Sequence, residues 1–174
     1  LFSLAICSTL GIYSMAALFL VADHGMDPAG ASRLLALSRI ASLVMPLVAG
    51  YLGDRFGNRP VMSAVLLSAG LLTALMGMVP DGRWLIVCVV AQPLVAVSFF
   101  PSGFAVLSRL GAPVGGSLAV SLCIPLAFLL GGGAMPTLIG MIGDISSISA
   151  GFVLAGAAMA LAGCASFFVT FGKK

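Results

Sequence analysis

The sequence predicts an all-α integral membrane protein with six transmembrane helices. Of its 174 residues, 61% are hydrophobic and only 7% are charged, and its mean hydropathy is +1.23. A soluble domain needs a charged surface, and this chain has too few charged residues to provide one. Because a transmembrane helix needs about 20 apolar residues, the length allows about six such helices with short connections and leaves no separate soluble domain.

The composition argues against nucleic-acid partners and against cofactors. The chain has 22 glycines and 9 prolines, which would weaken soluble helices but are tolerated in packed transmembrane helices. A net charge of +3 without a long basic run gives no sign of a nucleic-acid partner. The cysteines lie in apolar runs and form no CxxC pair, so we expect small buried side chains and no metal ligands. They are Cys7, Cys88, Cys123 and Cys164.

Polar turns delimit the first three spans. Segment 22–28 contains two aspartates, a histidine, a glycine and a proline, so it ends span 1, and its proline favours the start of span 2. The charged turn 53–59 ends span 2, and Pro60 begins span 3. We therefore expect these spans at residues 2–21, 31–52 and 60–79.

Further turns delimit the last three spans. Segment 80–83 contains proline, aspartate and glycine, and Trp84 follows it as an interfacial anchor at the start of span 4. Segments 111–113 and 143–146 carry the next glycine-containing turns. We therefore expect these spans at residues 84–107, 117–141 and 149–171.

The charges are distributed unequally between the two membrane faces. The turns after spans 2 and 4, together with the C-terminus, carry one acid, Asp54, and five basic residues: Arg55, Arg59, Arg109, Lys173 and Lys174. The opposite face carries four acids, Asp23, Asp27, Asp81 and Asp144, against Arg83 and, at the start of span 2, Arg33. Because basic residues of short loops remain cytoplasmic, we expect both ends of the chain on the cytoplasmic side of a plasma membrane, of the bacterial inner-membrane type.

The turn between spans 2 and 3 carries the most specific motif. Segment 50–60 reads GYLGDRFGNRP. It resembles the signature loop of the major facilitator superfamily, Gly-x-Leu-x-Asp-Arg-x-Gly-x-Arg/Lys, which lies between the second and third helices of each six-helix half. The matching residues are Gly50, Leu52, Asp54, Arg55, Gly57 and Arg59, whereas Asn58 stands where a basic residue is common.

The resemblance implies a fold, a partner and a function. Carriers of this family consist of two six-helix halves with the substrate site between them near the midplane. Span 4 lacks the arginine frequent in N-terminal halves, and the chain starts at Leu1 and stops soon after span 6, so we expect the C-terminal half. Its partner would be the N-terminal half or a second copy. The implied function is alternating-access transport of a small solute, by symport or antiport.

The resemblance also implies a role for the charged loop. In the family, the equivalent cluster holds the two halves together on the cytoplasmic side and opens as the carrier alternates. We carry this role to Asp54, Arg55 and Arg59, with Arg109 as a weaker partner, while Gly50 and Gly57 permit close packing and a tight reversal. The alternative is that these charges only set the topology.

Arg39 is the main candidate for substrate contact. It lies well inside span 2, where an arginine costs about 2.5–3.5 kcal/mol on insertion scales. At helical spacing it shares a face with small and polar residues such as Ser42. Three partners remain open: a small anion, an acid of the other half, or the membrane interface reached by snorkelling. In several anion carriers of the family, an arginine in this helix contacts the anion.

Two further residues are candidates for lining the cavity. Tyr13 lies in span 1 and either lines the cavity or packs with a satisfied hydroxyl group. Gln92 in span 4 either lines the cavity or bonds to neighbouring helices, since a buried amide needs partners.

Two rival classes of protein fit the sequence less well. An intramembrane enzyme needs a nucleophile beside a base, yet the single histidine, His24, lies in a loop and the expected spans contain no acid or lysine. A channel or scaffold of six helices is the other rival, but the sequence has no ring of acids typical of a cation pore. The sequence therefore favours a carrier over an enzyme.

Overall fold

The computed structural model describes residues 1–80, 82–111 and 116–168. Within these residues, all regular structure is helical, and six helical segments are long and apolar enough to cross a membrane. The all-α fold with six spans is therefore confirmed. Spans 1 to 6 are Phe2–Ala22, Pro28–Phe56, Asn58–Met78, Arg83–Arg109, Val120–Ile145 and Ile148–Phe168. The expected turn residues Asp81, Ala112 and Pro113 and the basic residues Lys173 and Lys174 lie outside the described residues.

Prolines interrupt two of the spans. Span 2, expected at residues 31–52, consists of helices Pro28–Ala41 and Met45–Phe56. Pro46 has no N–H to donate to the Ser42 carbonyl, so the first helix ends near that residue. Span 4 consists of helices Arg83–Val97 and Phe99–Leu110, and Pro101 likewise has no N–H to donate to the carbonyl four residues earlier.

Spans 1 and 5 each contain a π-helical segment, at Cys7–Gly11 and Phe128–Ala134. The two segments pack against each other. A side chain at Gly131 would lie 2.7 Å from the Cys7 nitrogen and closer still to the Ser3 carbonyl, so only glycine fits there. A side chain at Gly133 would meet no atom within 4 Å. Gly131 is thus required for close packing at this crossing, whereas Gly133 is not.

Spans 3 and 6 pack with their backbones in close contact. A side-chain carbon on Gly70 would lie 2.8 Å from the Gly156 carbonyl oxygen, and one on Gly156 would lie 2.6 Å from the Gly70 carbonyl oxygen. Ala160, in the next turn of span 6, lies against Gly70. Small residues allow backbones to approach in this way. Span 6 therefore packs against span 3 through Gly156 and Ala160, whereas Cys164, one turn further on, is exposed.

The core lies between the spans and is completed at one membrane face by a polar cap. The rings of Phe19 and Phe152 stack at 4.5 Å, joining spans 1 and 6. The Asp23 carboxylate accepts hydrogen bonds from the Ser149 N–H and hydroxyl, each at 2.6 Å, near the start of span 6. Such a side-chain acceptor satisfies backbone donors at a helix N-terminus.

The four cysteines differ in their exposure. Cys7 and Cys88 are buried as expected, Cys123 is partly exposed, and Cys164 is exposed. The expectation that all four are buried is therefore wrong for Cys164, which lies on the outer side of span 6. A hydrophobic thiol on that side is compatible with contact to lipid, because the bilayer is itself apolar.

Candidate functional site

The structure brings Arg39 and Tyr13 together. Arg39 lies in the last turn of helix Pro28–Ala41, and its guanidinium carbon lies 3.9 Å from the centre of the Tyr13 ring. The Tyr13 hydroxyl donates a 2.6 Å hydrogen bond to the Leu35 carbonyl, one turn before Arg39. The ring is therefore held between spans 1 and 2 and offers its face to the cation.

Arg39 also donates a hydrogen bond to span 1. One guanidinium nitrogen lies 3.2 Å from the Thr9 carbonyl oxygen, which belongs to the π-helical segment Cys7–Gly11. Among the described residues, no acidic side chain contacts the guanidinium. Since a guanidinium has five N–H donors, the bond to Thr9 and the contact with Tyr13 orient it without neutralising it.

Gln92 lies in the packed interior and is 2% exposed. Its amide nitrogen donates to the Ser8 carbonyl at 2.9 Å, to the Ser8 hydroxyl at 3.0 Å and to the Thr73 hydroxyl at 3.4 Å. These bonds connect spans 1, 3 and 4. Of the two roles considered for Gln92, this geometry favours bonding between helices, which buried amides require.

Gln92 of span 4 and Arg39 of span 2 therefore donate hydrogen bonds to two consecutive backbone carbonyls of the π-helical segment. Gln92 bonds to Ser8 and Arg39 bonds to Thr9. These contacts cannot be predicted from residue types along the chain, because both acceptors are backbone carbonyls whose positions depend on the local π-helical geometry. The sequence therefore did not identify Ser8, Thr9 or Thr73 as contact residues. A polar run within an apolar span, Ser8-Thr9, was the only available signal.

Ser42 follows Arg39 by three residues and caps the helix that carries it. Its hydroxyl donates to the Arg39 carbonyl at 2.7 Å, and the side chain is 5% exposed. This bond helps to end the first helix of span 2, because a serine hydroxyl competes with the backbone for helix carbonyls. Ser42 thus shapes the break that follows Arg39.

The charged residues of the signature loop do not form one cluster among the described residues. Asp54 is exposed, and among the described residues no ion pair joins it to Arg55, Arg59 or Arg109. Arg55 donates to the Tyr51 hydroxyl at 3.4 Å and its guanidinium carbon lies 5.5 Å from the Phe56 ring centre. Arg109 is exposed at the end of span 4.

Arg59 is directed to the end of span 6. Its guanidinium donates to the Ser166 and Phe167 carbonyls, each at 3.4 Å. These carbonyls lie in the last described turn of span 6, and a charged guanidinium is a favourable donor to backbone carbonyl oxygens.

The two loop glycines also differ. Gly57 has a φ of 92°, which ordinary side chains rarely adopt, so a glycine is needed for the reversal between spans 2 and 3. A side chain at Gly50 would meet no atom within 4 Å inside this chain.

Comparison with known proteins gives a family and one relative. The sequence matches the family described as Major Facilitator Superfamily over residues 1–173. It is 30% identical over 154 residues to a protein of Haemophilus influenzae named as a metabolite transport protein. The match covers 71% of this chain and 34% of the relative, so this chain spans about a third of the relative's length. No solved structure matches the chain.

Proposed function

The chain belongs to the major facilitator superfamily, and on this basis we propose that it is one six-helix half of a secondary transporter that binds a small anion at Arg39. The family membership and the six apolar spans support a role in membrane transport. The single observation that supports an anion is the partly buried Arg39 guanidinium, which lacks an acidic contact among the described residues. A cation held in a membrane interior needs a counter-charge.

The geometry of Arg39 suits a planar or tetrahedral anion. Its contacts with the Thr9 carbonyl and the Tyr13 ring fix the guanidinium plane while leaving further N–H donors for a ligand. A guanidinium binds carboxylate, nitrate or phosphate oxygens in a bidentate manner. We therefore assign Arg39 to direct contact and Tyr13 to orienting it. Ser42 and Gln92 would act indirectly, by ending the helix and by holding span 1.

The partner in this proposal is the N-terminal six-helix half, with a second copy of this chain as the alternative. The substrate site of such carriers lies between two halves near the midplane. An acid of that partner is the competing occupant of Arg39. The chain would lie in a plasma membrane of the bacterial inner-membrane type, with both ends cytoplasmic, because the basic residues of the loops concentrate on one face.

The charged loop would control access from the cytoplasmic side. Asp54 is exposed and makes no ion pair with another described residue, so its carboxylate is available to the other half. We assign the latch role to Asp54 with Arg55, Arg59 and Arg109, and Arg59 additionally holds the end of span 6. Alternating access then requires these contacts to break and reform, in symport or antiport.

Transport in proteoliposomes tests this proposal. Vesicles containing the intact protein are preloaded with one member of a panel of small carboxylates, nitrate and phosphate, and uptake of the same labelled solute is followed. We expect saturable counterflow of at least one anion and none of size-matched neutral solutes. Counterflow of neutral solutes alone would contradict the anion assignment, and non-saturable ion current without counterflow would contradict the carrier assignment.

A further inference from the structure

An apolar crevice of about 120 Å³ lies between spans 2, 3 and 4, near the signature loop. Met45, Val48 and Leu52 line it from span 2, and Val61 and Val65 line it from span 3. Val48 is 42% exposed and Leu52 is 36% exposed, so the crevice is open along span 2. Its lining is almost wholly aliphatic, which suits a hydrocarbon chain.

The helix that lines the crevice carries Arg55 at its membrane-water end. Leu52 and Arg55 are three residues apart and Val48 and Arg55 are seven apart, so they share one helix face. At a rise of about 1.5 Å per residue, Arg55 lies about 4.5 Å beyond Leu52 and about 15 Å beyond Met45. This spacing matches the depth of a lipid headgroup above its acyl chain, because each headgroup layer is about 5–7 Å thick.

Aromatic side chains hold Arg55 at that depth. Its guanidinium contacts the Tyr51 hydroxyl and the Phe56 ring. These aromatic residues are 62% and 63% exposed, as expected of side chains in the interfacial layer. Among the described residues, no acid forms an ion pair with Arg55. When the proposed latch to the other half is open, Arg55 therefore offers a cation without an ion pair about one helical turn beyond the apolar crevice.

We propose that this surface binds an anionic phospholipid, with its phosphate on Arg55 and an acyl chain in the crevice between spans 2, 3 and 4. Charge complementarity selects an anionic lipid, since basic residues at the membrane surface attract acidic headgroups. The apolar crevice provides a binding surface for the acyl chain, which a charged surface alone would not provide. Neither arginine lines the crevice itself, but Arg55 lies three residues beyond the lining residue Leu52, whereas exposed Arg109 lies eleven residues beyond Ser98.

Thermal unfolding of the intact protein in detergent tests the site. Dioleoylphosphatidylglycerol and dioleoylphosphatidylcholine are added separately at equal mole fraction, and sn-glycerol 3-phosphate is added alone as a headgroup without chains. A ligand that binds only the folded state raises the unfolding temperature. We expect a larger rise with phosphatidylglycerol than with phosphatidylcholine, and no rise with glycerol phosphate. An equal rise with glycerol phosphate would show an anion site rather than a lipid site and would overturn the proposal.

Two variants separate the headgroup from the chain. Arg55→Gln should remove at least half of the extra rise caused by phosphatidylglycerol, whereas Arg109→Gln should leave it unchanged. Val61→Phe, which fills the crevice, should reduce the rise caused by both lipids, whereas Leu47→Phe, at an exposed position outside the lining, should not. Equal losses in the two arginine variants would indicate diffuse surface charge, and an unaltered rise in Val61→Phe would exclude the crevice; either result would overturn the proposal.

Discussion

Replacement of Arg39 by glutamine is expected to weaken binding of the transported anion about 100-fold. A hydrogen bond to a charged group contributes about 1.5–3 kcal/mol, and loss of about 2.7 kcal/mol is a 100-fold change in affinity. Glutamine is shorter than arginine, so the bond to the Thr9 carbonyl is lost together with the charge. The hydrogen bond from Tyr13 to the Leu35 carbonyl still joins spans 1 and 2, so we expect the larger effect on ligand affinity.

Concentration dependence of counterflow in proteoliposomes measures this effect. Arg39→Lys keeps the charge but loses the bidentate geometry, so we expect a loss of about tenfold, corresponding to about 1.4 kcal/mol. Arg33→Gln is the matched control, because Arg33 lies exposed in the same helix. If Arg39→Gln and Arg33→Gln transport equally well, the assignment of Arg39 to the anion is wrong.

Replacement of Gly70 by alanine is expected to destabilise the protein by about 3 kcal/mol, at the upper end of the usual cost of overpacking. The added methyl group would lie 2.8 Å from the Gly156 carbonyl oxygen and would collide with the Ala160 nitrogen. Both obstacles are backbone atoms, so no rotamer change relieves the contact, and spans 3 and 6 must move apart.

Gly140→Ala provides the control for this substitution. A side chain at Gly140 would meet no atom within 4 Å, although the residue lies within helix Met135–Ile145. Alanine favours a helix over glycine by about 1 kcal/mol, so this variant should be neutral or slightly more stable. The measurement is the unfolding temperature in detergent. Equal stability of Gly70→Ala and the wild type would mean that spans 3 and 6 are farther apart than described.

The fold was largely predictable because the bilayer imposes a strong pattern on the sequence. Long apolar runs and polar turns predicted all six spans, and span 4 is broken near Pro101. Pro93 lies inside an unbroken helix, and Pro46 instead accompanies the break in span 2. A missing N–H weakens the helix locally, but neighbouring contacts determine whether it breaks. The π-helical segments were not predictable from the same pattern.

The position of the charged residue in the candidate site was predictable from the sequence, but the residues that it contacts were not. Arg39 was identifiable because an intramembrane cation is costly. Its contact with Tyr13 depends on where spans 1 and 2 cross, which no spacing along the chain encodes. Likewise, the signature loop was identifiable from its residues, whereas the bonds of Arg59 to carbonyls at the end of span 6 depend on tertiary packing.

Thermal stabilisation of the intact protein by small anions tests the central claim most directly. The panel contains carboxylates, nitrate and phosphate with size-matched neutral solutes, each measured on the wild type and on Arg39→Gln. A ligand at 100 times its Kd stabilises a protein by about 2.7 kcal/mol. The account predicts a rise in unfolding temperature with at least one anion that is lost in Arg39→Gln. Stabilisation by neutral solutes alone, or an anion effect that Arg39→Gln retains in full, would contradict it.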